Sequence, residues 1–279
     1  MFHDRRRFGA IQPKKAAAVA GYVGPGDVVT AVNFWGLRAV TNAAIGSNAI
    51  DITWPGSNLR TYGTVAGGGL NLTAINADLA FFGGPGEITK FYDQVGGFHY
   101  TLSGGSGALL DLSATFNPLP YVNFSSSPYF TASGLPWPTL PATLVAVALN
   151  VSGSATSVMF GESSGGVILF RTSTNNQVSI YNGGAVFASA ACTDGQFNSI
   201  IGNFTSPSSG SFATVNNANG STADPGSNSG TTNVGSLGCD PGGGQLWTGS
   251  FMEVMVCATG FSPTQRTNMY NNHHAYYGV

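Results

Sequence analysis

Forty glycines and fourteen prolines, set among clusters of Asn, Ser and Thr, divide these 279 residues into apolar stretches too short for long helices. Gly and Pro punctuate a chain because one adopts backbone angles closed to other residues and the other lacks a backbone donor. The stretches between them read as strands: NAIDITW, EITKFYDQ, HYTLSG, YVNFS, TLVAVALNV, SVMFGE, GVILFRT, QVSIYN, AVFASA, FNSIIGNF, SFATVN, TNVGSLGC and SFMEVMVCA. Each is rich in β-branched or aromatic residues and bounded by turn formers. Turn signals spaced about 8 to 15 residues apart over such a length predict an all-β sandwich. Val178 and Ile180 alternate with Ser179 and Tyr181, the pattern of a half-buried strand. VAVAL and GVILF are apolar throughout and are expected mid-sheet, covered on both faces.

Helices are expected near both ends. DVVTAVNFWGLRAVTNAAIG spaces Val28, Val32, Trp35 and Ala39 three to four residues apart, predicting one amphipathic helix with Asp27 as N-cap and Gly46 as stop. In SPTQRTNMYNNHHAYYG, Ser262 is the expected N-cap, Pro263 the first helical residue and Gly278 the stop.

Charged residues make up only 8% of the chain, against about a quarter in an ordinary soluble protein, so the surface must be wetted by hydroxyls, amides and backbone. Half of the Lys and Arg, namely Arg5, Arg6, Arg7, Lys14 and Lys15, fall in the first fifteen residues, which with Asp4 carry +4 against −6 for the remainder. This asymmetry predicts an extended anchoring arm over residues 1–26 that docks on an oppositely charged partner, followed by a single sandwich over 27–279. The competing reading is a frayed terminus with incidental arginines. No continuous apolar region follows the basic start and no run reaches about 18 apolar residues, which predicts a chain made in the cytoplasm without a signal peptide and without a membrane span. Cys192, Cys239 and Cys257 match no zinc spacing; one disulfide or three free thiols fit, and burial favours free thiols.

The segment GQLWTGSFMEVMVCATGFSPTQRTNMYNNHHAYYG resembles the closing strand and helix of concanavalin A-like and laminin-G-like jelly rolls. FWGLRAVTNAAIGSNAIDI, GGGLNLTAINADLAFFG and ITKFYDQVGGFHYTL resemble the amino-terminal half of the arabinofuranosidase B catalytic domain, and LGCDPGGGQLWTGSFMEVM its late segment. The resemblance brackets residues 33 to 279, with a weakly matching middle. It implies a concanavalin A-like jelly-roll β-sandwich and places that family's catalytic acid on Asp240. The family's nucleophile strand aligns with QVSIYNGGAVF, where Tyr181, Asn182 and Gly183 stand and no carboxylate does. Val158 and Met159 stand where that family has an adjacent cysteine pair.

A retaining glycosidase needs two carboxyl groups about 5 to 5.5 Å apart. Of the three glutamates, Glu162 is the candidate to replace the missing nucleophile opposite Asp240; Glu87 follows a turn, and Glu253 in the final strand has the place of a structural hydrogen-bonding group. Asp93 and Gln94, before a Gly-Gly pair, either hold sugar hydroxyls or close a turn. Trp247, with Trp54 and Trp137, either stacks on a sugar ring or anchors a loop. Asp93, Gln94, Asp240 and Trp247 are thus the glycan-binding candidates. His273 and His274 are neighbours on a helix and cannot share a face, so no metal site and no cofactor is expected. Basic and aromatic residues are not interleaved outside the arm, which argues against sequence-specific nucleic-acid binding.

Lectin-like sandwiches recur in bacteriophage head decorations, head fibres and tail appendages, and this Gly/Ser/Thr/Asn-rich, charge-poor chain is similar to them. That likeness implies a non-enzymatic virion structural protein, its arm docked on a capsid, connector or tail subunit while its outer domain packs against copies of itself or presents loops outward; a host-surface glycan-binding module is a second reading of the same fold. The likeness further implies a closed homo-oligomer such as a trimer. The alternative is a glycoside hydrolase of arabinofuranosidase type using Asp240 and Glu162.

Overall fold

A computed structural model describes residues 21–112, 119–125, 127–135, 137–149, 157–162, 176–184, 187–226, 234–240 and 242–279, and the backbone of 168–172. Arg5, Arg6, Arg7, Lys14 and Lys15 lie outside these residues. The chain runs through one helical turn, α1 (Pro25–Val28), then β1 (Asn33–Gly36) and the hairpin of β2 (Asn48–Trp54) and β3 (Asn58–Gly63). Helix α2 (Leu72–Phe82) precedes β4 (Glu87–Phe91), β5 (Tyr100–Gly104), β6 (Ala108–Asp111), β7 (Tyr121–Asn123), β8 (Tyr129–Ser133) and β9 (Ala142–Leu149). A meander of β10 (Ser157–Glu162), β11 (Ile168–Thr172), β12 (Gln177–Tyr181) and β13 (Ala188–Ala191) follows. The chain ends with β14 (Phe197–Phe204), β15 (Phe212–Val215), β16 (Ala218–Asn219), β17 (Val234–Leu237), β18 (Ser250–Cys257) and α3 (Pro263–Tyr277).

These strands form the expected all-β, jelly-roll-like sandwich. One sheet, in the order β1, β18, β9, β14, β15, β16, carries α3 on its outer side. The other, in the order β3, β2, β4, β5, β8, β17, β10, β11, β12, β13, leaves its outer side without a helix. Strands β6 and β7 connect the sheets at one edge, from β4 to β18. The main core lies between them, where Leu144, Ala146 and Val254 meet Phe91, Phe130 and Phe160. Burying each of the larger side chains contributes about 1.5–3 kcal/mol.

The continuous apolar run of β9 follows from this layering. Leu144, Ala146 and Ala148 face the main core, while Val145 faces the cluster around Met269 of α3 and Val147 the one around Tyr277. In β18 the register shifts between Phe251 and Glu253, so that Phe251 points into the core and Glu253 pairs with Val147 toward the helix. Such a bulge re-aims one side chain without breaking the strand.

The helix expected from Asp27 to Gly46 does not form. It is replaced by the four residues of α1, by β1 and by a short 3₁₀ turn over Asn42–Ala44. Phe34 and Trp35 are both fully buried, but in different clusters on opposite sides of the strand, which a one-sided helix could not achieve. Pairing of Asn33–Gly36 with Glu253–Val256 supplies their backbone bonds. Gly36 is needed there, since a Cβ would lie 2.6 Å from the Phe34 ring and 2.8 Å from Glu253 Cβ. Helix α2, an element absent from the strand pattern, is capped by Asn71, which accepts from Ala74 N at 3.2 Å, and ends on left-handed Gly83. Helix α3 forms as expected: Ser262 Oγ accepts from Gln265 N, Gln265 Oε1 accepts from Ser262 N, and left-handed Gly278 closes it.

Candidate functional site

The helix-free face of the second sheet is polar because its strands alternate. Residues in register point to the same side, so the inward set Ile50, Phe91, Tyr100 and Phe130 leaves an outward row of Thr61, Asp51, Lys90, Thr101, Thr131 and Ser236 across β3, β2, β4, β5, β8 and β17. Asp51 Oδ1 accepts from Thr61 Oγ1 at 2.6 Å, and its two oxygens accept from Tyr92 OH at 3.1 and 3.2 Å. The Tyr92 ring lies 4.8 Å from that of His99, with Lys90 Nζ 4.4 Å from its centroid. The Ser103 and Thr131 hydroxyls are 2.5 Å apart. Thr61, Thr101 and Ser103 are exposed, and Lys90, Tyr92 and Thr131 half-buried. His99 Nδ1 accepts from Asp93 N at 3.1 Å, and burial, reinforced by Lys90, lowers its pKa, so the imidazole is neutral at pH 7.

Asp93 and Gln94 sit at the end of β4 with their polar atoms engaged. Asp93 accepts from Asn33 Nδ2 at 2.7 Å, from the backbone N–H groups of Phe34 and Val95 at 3.0 Å, and from Phe98 N at 3.1 Å. Four donors fill what one carboxylate can accept. Gln94 accepts from Val40 N at 3.0 Å and donates to Arg38 O at 2.9 Å and Gly36 O at 3.3 Å. Together the pair ties the β4–β5 turn to residues 33–40.

Asp240 lies in the turn after β17, at intermediate exposure, and its Oδ1 accepts from Gly244 N at 2.6 Å. Trp247 closes the same loop from inside, 3 % exposed and 5.3 Å from the Phe124 ring. Trp54 is likewise buried, donating to Tyr62 OH at 2.7 Å, and Trp137 packs on Phe160. Asp240 and Glu162 are not brought together. The Asp240 loop borders the start of β10, where Gly238 N donates to Met159 O and Val158 N to Gln245 O. Glu162 is the last residue of β10, opposite Gly235, about 13 Å from Val158 along the strand. It is fully buried on the side shared with the core residue Phe160. Asn182, in the segment aligned with the glycosidase nucleophile strand, is also fully buried. Asp93 and Asp240 lie toward opposite ends of β5, whose Tyr100 adjoins the Asp93 turn and whose Gly104 pairs with Tyr129, the neighbour of Gly243 in the Asp240 loop.

A second polar cluster, built around Arg38, lies beneath α3. Arg38 Nε and Nη2 donate to Glu253 at 2.5 and 2.9 Å, Nη2 donates to Asn272 Oδ1 at 2.8 Å, and the guanidinium lies 4.7 and 4.8 Å from the Tyr276 and Tyr277 ring centroids. Tyr277 OH donates to Glu253 Oε2 at 2.6 Å. His273 Nε2 lies 2.9 Å from Glu253 Oε1, and His273 Nδ1 lies 2.7 Å from Ser199 Oγ. The order Ser, His, Glu imitates a hydrolytic triad. Its members are at most 1 % exposed, so no substrate reaches Ser199. Burial alone would raise the Glu253 carboxyl, but Arg38 and His273 hold it well below the usual carboxylate range. Burial lowers the His273 pKa, with Glu253 countering in part, and the ring is neutral at pH 7. This cluster is structural, the place the sequence gives Glu253. The residues sequence reading missed are Arg38, Lys90 and Asp51: the alternation in NAIDITW and ITKFY carried a signal for the last two, whereas nothing local marked Arg38 as the partner of Glu253.

None of Cys192, Cys239 and Cys257 forms a disulfide, and burial pushes Cys239 and Cys257 up to about 12. Among the described residues no three His, Cys, Asp or Glu side chains converge as metal ligands, and no helix is long and apolar enough to cross a membrane.

No protein-family model matches the sequence, and no curated protein does. Solved structures match the fold. An arabinofuranosidase complexed with arabinofuranosyl-α-1,2-xylobiose superposes with a TM-score of 0.70 at 13% identity over 91% of this chain and 65% of its own. A GH54 α-L-arabinofuranosidase soaked with a cyclic sulfate inhibitor gives 0.65 at 14% identity over 91% and 66%. Domain 4 of AbnA, a GH43 extracellular arabinanase from Geobacillus stearothermophilus in complex with arabinotriose, gives 0.50 at 14% identity, over 64% of this chain and 91% of the domain. The chain spans about two thirds of the length of the two arabinofuranosidases.

Proposed function

We propose that this chain is a non-catalytic carbohydrate-binding sandwich, held by its basic arm on a larger particle, a bacteriophage virion. The observation that carries the non-catalytic reading is the placing of Asp240 and Glu162 at opposite ends of β10, one in an outer turn and the other facing the core. Glycoside hydrolysis requires two carboxyl groups about 5 to 9.5 Å apart on either side of the scissile bond. The likeness to arabinose-polymer enzymes and to a domain bound to arabinotriose supports carbohydrate as the ligand class.

The virion role rests on the likeness in fold to lectin-like sandwiches of phage particles, with a charge-poor chain and an arm of +4 before a body of −6 beside it. Such an arm docks electrostatically in an acidic groove of a capsid, connector or tail subunit, and its association rate falls as salt is raised. Deleting residues 1–20 is expected to leave a soluble, folded protein that binds saccharides but no longer joins purified particles. Incorporation of the truncated protein at the wild-type level overturns the anchor. Turnover of an aryl arabinofuranoside that is abolished by Asp240→Asn overturns the non-catalytic reading and restores the glycosidase.

A further inference from the structure

We infer that the helix-free face binds an acidic saccharide, with the sugar carboxylate on Lys90; this rests on the carbohydrate-binding reading above. Among the cationic side chains described, Lys90 alone donates no hydrogen bond and makes no ion pair. Arg38 is paired with Glu253. Arg266 donates to Phe261 O at 2.9 Å and lies over the Phe212 ring, and Arg60 donates to Leu59 O and lies over the Phe82 ring. The Lys90 ammonium, which carries three donors, rests against the Tyr92 ring. Its cross-strand neighbour Asp51 is engaged by Thr61 and Tyr92.

The surroundings of Lys90 specify the rest of the ligand. Its neighbours in register are Thr101 on β5 and Thr131 on β8, with the Ser103 hydroxyl bonded to Thr131, so the cation opens onto a row of hydroxyls about 10 Å across. With the Asp51 carboxylate on its β2 side taken up by Thr61 and Tyr92, and neutral hydroxyls on its β5 side, this one cation suits a singly charged, polyhydroxylated molecule that lies over β5 and β8. A nucleic acid would call for several cations following a phosphate backbone. A carboxylate on Lys90 gains a charge-assisted hydrogen bond, stronger than any contact a neutral sugar makes there.

The test uses the full chain on an array of neutral, uronic-acid and sialic-acid saccharides, with the methyl ester of each acidic ligand as control. Acidic saccharides are expected to bind, their methyl esters at least ten-fold more weakly, and Lys90→Gln is expected to lose the preference while keeping the wild-type urea midpoint. Thr101→Val should weaken binding a few-fold. Equal binding of acid and ester, or unchanged binding by Lys90→Gln, places the sugar elsewhere and overturns this inference while leaving the carbohydrate-binding reading in place. Failure to bind any saccharide on the array overturns both.

Discussion

A guanidinium without solvent exposure, as at Arg38, persists because its surroundings stand in for most of its water: Glu253 takes two of its N–H groups, Asn272 accepts from the same nitrogen that reaches Glu253 Oε1, and the Tyr276 and Tyr277 rings lie 4.7 and 4.8 Å from it, while Nη1 has no hydrogen-bond partner among the described residues. The arrangement is costly to break from one side, since the surviving charge stays buried without compensation. Arg38→Met is therefore expected to destabilise the protein by about 3–5 kcal/mol, read from urea unfolding. The double variant Arg38→Met/Glu253→Leu should recover a large part of that loss, since a buried pair replaced whole by apolar groups is often neutral. A single-variant loss below about 1 kcal/mol would mean the pair is hydrated in solution and the packing around it loose.

Helix α3 is fastened to the sheet through that cluster, which makes its docking sensitive to acid. The folded His273 has a pKa below the free value of 6.5, so below about pH 6.5 the unfolded chain takes up a proton that the folded chain refuses. The folded Glu253 lies below its free value of 4.5, so a second loss begins as the pH falls through 4.5. Both act in one direction. Stability measured by urea is expected to be greatest above pH 6.5 and to fall in two steps on acidification; His99, whose pKa is also lowered, shares the upper step, so His273→Gln should shrink that step without touching the lower one. A midpoint that does not change between pH 7.5 and 5.5 would show the imidazole exchanging its proton freely in the folded state. The helix and strands involved were legible to different degrees. Strands β2, β14 and β18 coincide with apolar runs between turn formers, and α3 with a complete set of caps, because those signals are local. β1 was hidden, since Val28, Val32, Trp35 and Ala39 match a helical period by accident and the strand exists only through pairing with β18, more than two hundred residues away. The polar face had the same difficulty: Thr61, Asp51, Lys90, Thr101 and Thr131 form a row only through strand order, which alternation within each segment cannot supply.

At the scale of the whole molecule, the two sheets are joined through β6 and β7 and share one core, so neither has an independent interior. Opening one part should require opening the rest, and the cysteines report on this from separate places. Cys257 faces α3 at the end of β18, Cys239 follows β17 in the opposite sheet, and Cys192 lies half-buried after β13. Since the thiolate is the reacting form, pKa values near 12 together with burial leave Cys239 and Cys257 inert toward a thiol reagent at pH 8 while the protein is folded. These two are expected to react slowly, with equal rates that rise together as urea is added. Equal rates require that the same opening expose two sites on different sheets, as expected of a single cooperative unit. If Cys257 reacts well before Cys239, α3 detaches as a unit of its own, and the stability of the sandwich is then separable from that of the helix that covers it.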